Sequence, residues 1–143
     1  PESNKAWLAY RLQTVVDLVN DYLVPAAKSG GKQISAAVFP GPSLARTMVR
    51  QDWGQFNLDA FFPMLYHTFY QAGPEWVKQY TEEAVRTVTA PVHSGLFVGP
   101  LSAADLSRTI TMALDGGAAG VSLFDLGAMN DDRWTVFAKA VNQ

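Results

Sequence analysis

The sequence of 143 residues contains no cysteine. This absence excludes disulfide bonds, thiol catalysis and thiolate metal sites, but it does not fix the compartment, because many secreted proteins also lack cystine. The net charge is only -2, so the chain has no excess of cations to attract a polyanion. No apolar run approaches the roughly 20 residues that a membrane span needs. We therefore expect no nucleic-acid partner and no membrane partner.

Recognisable nucleotide, serine-hydrolase and metal motifs are also missing. The sequence has no Gly-x-Gly-x-x-Gly, no Walker loop and no Gly-x-Ser-x-Gly elbow. Its two histidines are 26 residues apart; His67 directly follows one predicted strand and His93 lies in another. The glycine-rich stretch 116–120 joins a helix to a strand, whereas barrels that bind phosphate do so in loops that follow strands. We expect neither a cofactor nor a metal. Because the chain begins without an initiator Met or a signal-like pattern, we also expect it to start within a longer or processed protein.

Four strand patterns alternate with helical patterns along the chain. The predicted strands cover residues 33–40, 58–66, 91–98 and 120–127; each is followed by a helix, and one more helix precedes the first strand. Ser102 and Asp105 resemble a capping box at the start of one helix. Pro63 removes a hydrogen-bond donor, so it requires a sheet edge, a bulge or a strand end. This order predicts an α/β fold in which residues 1–143 form half of a (β/α)8 TIM barrel with a parallel sheet; a flavodoxin-like domain is the alternative.

Several segments, in this order and at this spacing, resemble the C-terminal half of bacterial glycoside hydrolase-like barrels. They are residues 7–11, 34–40, 51–53, 58–66, 91–97 and 117–124. The resemblance implies that the strands are numbers five to eight of a barrel whose N-terminal half is absent. It also implies hydrolysis of a glycosidic bond or carbohydrate binding, and it favours a periplasmic or extracellular location. The expected partners are carbohydrate and either the missing half of the barrel or a second copy of the chain.

Active sites of such barrels lie where the strands end, which selects the candidate residues. Asp125 is the only carboxylate near a predicted strand end, and His67 directly follows an apolar strand, so both are predicted as catalytic. The alternatives are a helix-capping or loop-fixing aspartate and a histidine that hydrogen-bonds backbone. Aromatic side chains suit the apolar faces of sugars. The predicted substrate-binding residues are Phe39, Tyr66, Tyr70 and Phe97.

The small number of carboxylates near the predicted strand ends limits the interpretation of this chain as an enzyme. Glycoside hydrolysis by the usual route needs two carboxylates about 5 to 10 Å apart. The third strand, around His93, carries no acid, so a hydrolase would need a proton donor from the absent half and this chain alone would be inactive. The alternative function is a noncatalytic carbohydrate-binding or scaffold domain that associates with itself through open sheet edges.

Overall fold

The computed structural model describes residues 3–141, which form six α-helices and four short β-strands. In chain order the elements are α1 (Lys5–Asp17), α2 (Val24–Ser29), β1 (Ser35–Val38), α3 (Pro42–Met48), β2 (Ala60–Pro63), α4 (Pro74–Thr87), β3 (His93–Phe97), α5 (Ala103–Asp115), β4 (Gly120–Phe124) and α6 (Asp131–Val141). A π-helical segment, Leu18–Leu23, joins α1 to α2, and 3-10 turns lie at Trp53–Gln55, His67–Tyr70 and Leu126–Ala128. No helix within the described range is long and apolar enough to cross a bilayer.

The strands form two parallel sheets of two strands each. β1 pairs with β2, where Ser35 lies opposite Ala60, and β3 pairs with β4, where His93 lies opposite Gly120. Between β2 and β3 there are only two isolated parallel bridges, Phe61 with Val92 and Met64 with Gly95. The chain is therefore an α/β protein with two short sheets side by side.

The prediction of half a (β/α)8 barrel is wrong, because the described residues contain no continuous four-stranded sheet. Pro63 supplies the physical reason. The backbone N–H of Phe61 donates to the carbonyl of Pro91 at 2.9 Å, and that of Leu65 donates to the carbonyl of Gly95 at 2.8 Å. Between them Pro63, which has no N–H, interrupts the regular ladder from β2 to β3. The predicted strands were also too long, since the observed ones have four or five residues.

Two groups of buried side chains hold the helices on the sheets. Around β1 and β2 the core contains Trp53 and Phe61, whose ring centroids are 5.3 Å apart. Around β3 and β4 it contains Leu96 together with Leu106 and Ile110 of α5. Helix α5 begins as the capping box predicted, because the backbone N–H of Asp105 donates to the Ser102 hydroxyl at 3.1 Å. This packing fixes the strand ends that carry the candidate site.

Candidate functional site

Four aromatic rings meet where β2, β3 and β4 end. They are Tyr66, Phe69, Phe97 and Phe124, and we call them the aromatic cluster. The ring of Tyr66 stacks on that of Phe124 with centroids 5.8 Å apart and an interplanar angle of 19°. Phe69 packs against Phe97 at 4.9 Å, and Phe97 lies 5.8 Å from Tyr66. The rings therefore form one continuous surface instead of separate side chains.

Two members of the aromatic cluster are open to solvent. Phe69 is 66% exposed and Phe124 is 54% exposed, whereas Tyr66 and Phe97 are partly buried. The 3-10 turn His67–Tyr70 brings Phe69 back toward the end of β3, although its neighbours in the sequence lead away to α4. Contiguous exposed apolar side chains mark places where a protein binds something. The aromatic cluster is thus a candidate ligand-binding surface.

An apolar pocket adjoins the aromatic cluster. Its volume is about 240 Å³, and its lining residues are Phe39, Pro40, Met64, Tyr66, Phe69 and Tyr70. None of these side chains carries a charge at neutral pH. Burial raises the pKa of the Tyr66 phenol. Burial is also the larger cause of the raised pKa of the Tyr70 phenol, and the nearby Tyr80 is the smaller one. Both phenols therefore remain neutral. Tyr70 is held by Trp76, on which it stacks with centroids 4.8 Å apart.

Asp125 directly follows Phe124 in the chain, and its Oδ1 lies beside Gly127 of the next turn. Its side chain is exposed, and it begins the 3-10 turn Leu126–Ala128 without a capping hydrogen bond. Among residues 3–141 no hydrogen-bond or ion-pair partner of this carboxylate is found, which distinguishes it from the paired carboxylate of Asp59. The helix-capping alternative therefore does not describe Asp125. An exposed carboxylate with no partner among the described residues can accept hydrogen bonds from a ligand.

His67 lies in a different environment from Asp125. Its side chain is only 5% exposed, so almost none of its surface is open to a ligand. Burial lowers the pKa of the imidazole, although the carboxylates of Asp105 and Glu75, in the first turns of α5 and α4, act in the opposite direction. His93, on β3, is partly buried and stacks on Phe62 at 5.0 Å. Of the two predicted catalytic groups, only Asp125 is exposed, and it is the residue next to Phe124 in the chain.

The predicted substrate-binding residues do come together. Phe39, Tyr66 and Tyr70 line the apolar pocket, and Phe97 belongs to the aromatic cluster. Sequence reasoning missed Phe69 and Phe124. A signal for the second was present: an aromatic residue lies at the end of each described strand or within three residues after it, and Phe124 is the one that ends β4.

Metal ligands are not grouped in the part of the chain that the structure describes, where no three His, Asp or Glu side chains could hold one ion. Comparison with protein-family models, with curated proteins and with solved structures finds no significant match. The resemblance to glycoside hydrolase-like barrels therefore stays a prediction. The function has to be inferred from the geometry of the aromatic cluster, the apolar pocket and Asp125.

Proposed function

We propose that this chain binds carbohydrate on the aromatic cluster, with Asp125 accepting hydrogen bonds from sugar hydroxyls. The observation that carries the proposal is the pair of exposed rings, Phe69 and Phe124, held in one surface by Tyr66 and Phe97. A pyranose ring has apolar C–H faces and a polar rim of hydroxyls. Aromatic rings cover the faces, and a neighbouring carboxylate pairs with the rim.

The exposed rings offer a useful amount of binding energy. Covering one ring face removes roughly 60 Å² of apolar surface from water, which contributes about 1.5 kcal/mol at about 25 cal/mol per Å². This corresponds to about tenfold in affinity for each ring that stacks on a sugar. Two rings and one charge-assisted hydrogen bond are consistent with affinities in the range of about 10 µM to 1 mM, once the cost of association is included.

Binding is a better proposal than hydrolysis. The usual hydrolytic route needs a second carboxylate about 5 to 10 Å from the first. The residues that follow β1, β2 and β3 before the next α-helix are 39–41, 64–73 and 98–102, and none of them is Asp or Glu. Asp52 lies before β2, in the segment that follows α3, and it is engaged by Arg46 and Gln55. Asp125 therefore serves the proposal as a hydrogen-bond acceptor and not as half of a catalytic pair.

The test is glycan binding by the purified chain and three variants. A glycan array identifies ligands, and isothermal titration calorimetry then measures the affinity of the best soluble oligosaccharide. Phe124→Ala should weaken binding about tenfold, because it removes an exposed stacking face. The matched control is Tyr22→Ala, which removes a 68% exposed ring from the π-helical segment and should leave affinity unchanged.

Two outcomes would overturn the proposal. The first is an absence of binding to every glycan on the array by a chain whose circular dichroism spectrum shows that it is folded. The second is equal weakening of glycan binding by Phe124→Ala and Tyr22→Ala, which would show that binding does not occur on the aromatic cluster.

Asp125→Asn keeps the size of the side chain and removes its charge, so the affinity should fall several-fold.

A further inference from the structure

The apolar pocket differs in chemistry from the aromatic cluster beside it. The cluster is open to solvent and is followed in the chain by the exposed carboxylate of Asp125, whereas the pocket is lined only by apolar and aromatic side chains. A sugar buried there would leave its hydroxyls without partners, because a buried polar group needs a hydrogen bond to replace water. The pocket is therefore unsuited to a second sugar ring.

The volume of the pocket is right for an apolar group of moderate size. A dry apolar cavity of about 150 Å³ accepts a benzene molecule. The pocket has about 240 Å³, which leaves room for a phenyl ring with a short substituent or for a short alkyl chain. Met64, a flexible and polarizable side chain, can adapt to either shape.

The pocket and the aromatic cluster share two walls. Tyr66 and Phe69 belong to both, and Tyr66 also stacks on Phe124, the residue next to Asp125. One ligand can thus contact both regions if it has a polar sugar ring joined to an apolar group. We infer that the ligand is a glycoside with an apolar aglycone, whose sugar lies on the aromatic cluster and whose aglycone lies in the apolar pocket. This inference rests on the proposed carbohydrate binding and names its ligand class.

The experiment compares matched ligands that differ only in the aglycone. Methyl and phenyl β-glycosides of glucose, galactose, mannose and xylose are titrated into the intact chain by calorimetry. For the sugar that binds, the phenyl glycoside should bind at least tenfold more tightly, because the phenyl ring removes apolar surface from water. Phenol alone should bind far more weakly than the phenyl glycoside.

Two substitutions locate the effect. Met64→Gln places a polar amide at the pocket wall with nearly the same side-chain length, so it should abolish the phenyl preference while the methyl glycoside keeps its affinity. Met48→Gln makes the same change at an exposed position of α3 and should keep the preference. Phe124→Ala should weaken both glycosides by the same factor.

The outcomes separate the two proposals. If methyl and phenyl glycosides bind equally, or if Met64→Gln keeps the preference, the aglycone inference is overturned and carbohydrate binding stands. If phenol binds as tightly as the phenyl glycoside and no methyl glycoside or oligosaccharide binds, both proposals are overturned, because the chain then recognises only an apolar group.

Discussion

A buried hydrogen bond between Thr81 and Ser94 joins α4 to β3. The two side-chain oxygens are 2.8 Å apart, and both residues are completely buried. Because β3 ends at Phe97, this bond helps to fix one wall of the aromatic cluster. We therefore expect changes at this pair to alter the stability of the fold and, through β3, the position of the cluster.

The expected cost is different for the two partners. Thr81→Val keeps the shape of the side chain and leaves the Ser94 hydroxyl buried without a partner, which costs about 1–3 kcal/mol. In a chain of this length the melting temperature should fall by about 3 °C for each kcal/mol. Ser94→Ala should cost less, because a threonine in a helix can donate to a carbonyl of the preceding turn. The double variant leaves no stranded hydroxyl and should cost less than the sum of the two.

Urea denaturation followed by circular dichroism measures the free energy of unfolding of the parent chain, the two single variants, the double variant and a control. Thr111→Val, which removes an exposed hydroxyl from α5, is the control and should change stability by less than about 0.5 kcal/mol. If Thr81→Val and Ser94→Ala are additive, the two hydroxyls do not interact and the reasoning is refuted.

Three further predictions concern pH and backbone conformation. The hydrogen bond from Lys28 lowers the pKa of the Asp59 carboxyl, so this pair stabilises the fold above about pH 4. The stabilisation is lost as the pH falls through the lowered pKa. Lys28→Met should therefore reduce the drop in melting temperature on acidification. Burial lowers the pKa of His67, so its contribution to stability is complete above about pH 6.5 and declines below it; an NMR titration midpoint at or above 6.5 would contradict this. Gly41→Ala should cost about 2 kcal/mol or more in thermal melts, because φ is 61° and the new Cβ would collide with the ring of Tyr80 in α4. Gly31→Ala, at a φ of 65° and with open space around the new Cβ, is the control and should cost less.

The positions of the strands could be predicted from the sequence, but their pairing could not. Each observed strand lies inside a predicted range, because short apolar runs between helices usually form buried strands in an α/β chain. Pro63 was expected at an edge, a bulge or a strand end, and it is the last residue of β2. Its larger effect, the interrupted ladder to β3, depends on which N–H groups of β2 face that strand. The length and register of the strands decide which N–H groups face β3, and the periodicity of apolar residues in the sequence gives neither the length nor the register.

Only part of the candidate site could be predicted from the sequence. Rules about strand ends selected Phe97 and Asp125, which lie at the end of β3 and directly after β4. Phe124 was missed because the fourth strand was predicted to run to residue 127 and ends at 124. The burial of His67 depends on helices α4 and α5. The first turn of α4 lies several residues further along the chain, and the first turn of α5 lies several tens of residues further along. Contacts of this kind are set by tertiary packing, so a local pattern cannot predict them.

The aromatic cluster is held in place before any ligand binds, and Arg133 of α6 contributes to this. Its guanidinium Nε donates to the carbonyl of Leu101 at 3.0 Å, and its other nitrogens donate to the carbonyls of Gly99 and Ala128. These bonds join the loop after β3 to the loop after β4, the strand that ends at Phe124. A ligand that stacks on the cluster therefore has less loop motion to suppress, and ordering cost is one of the main terms that reduce affinity. Exposed rings on a fixed backbone are thus better explained as a preformed binding surface than as an incompletely packed core.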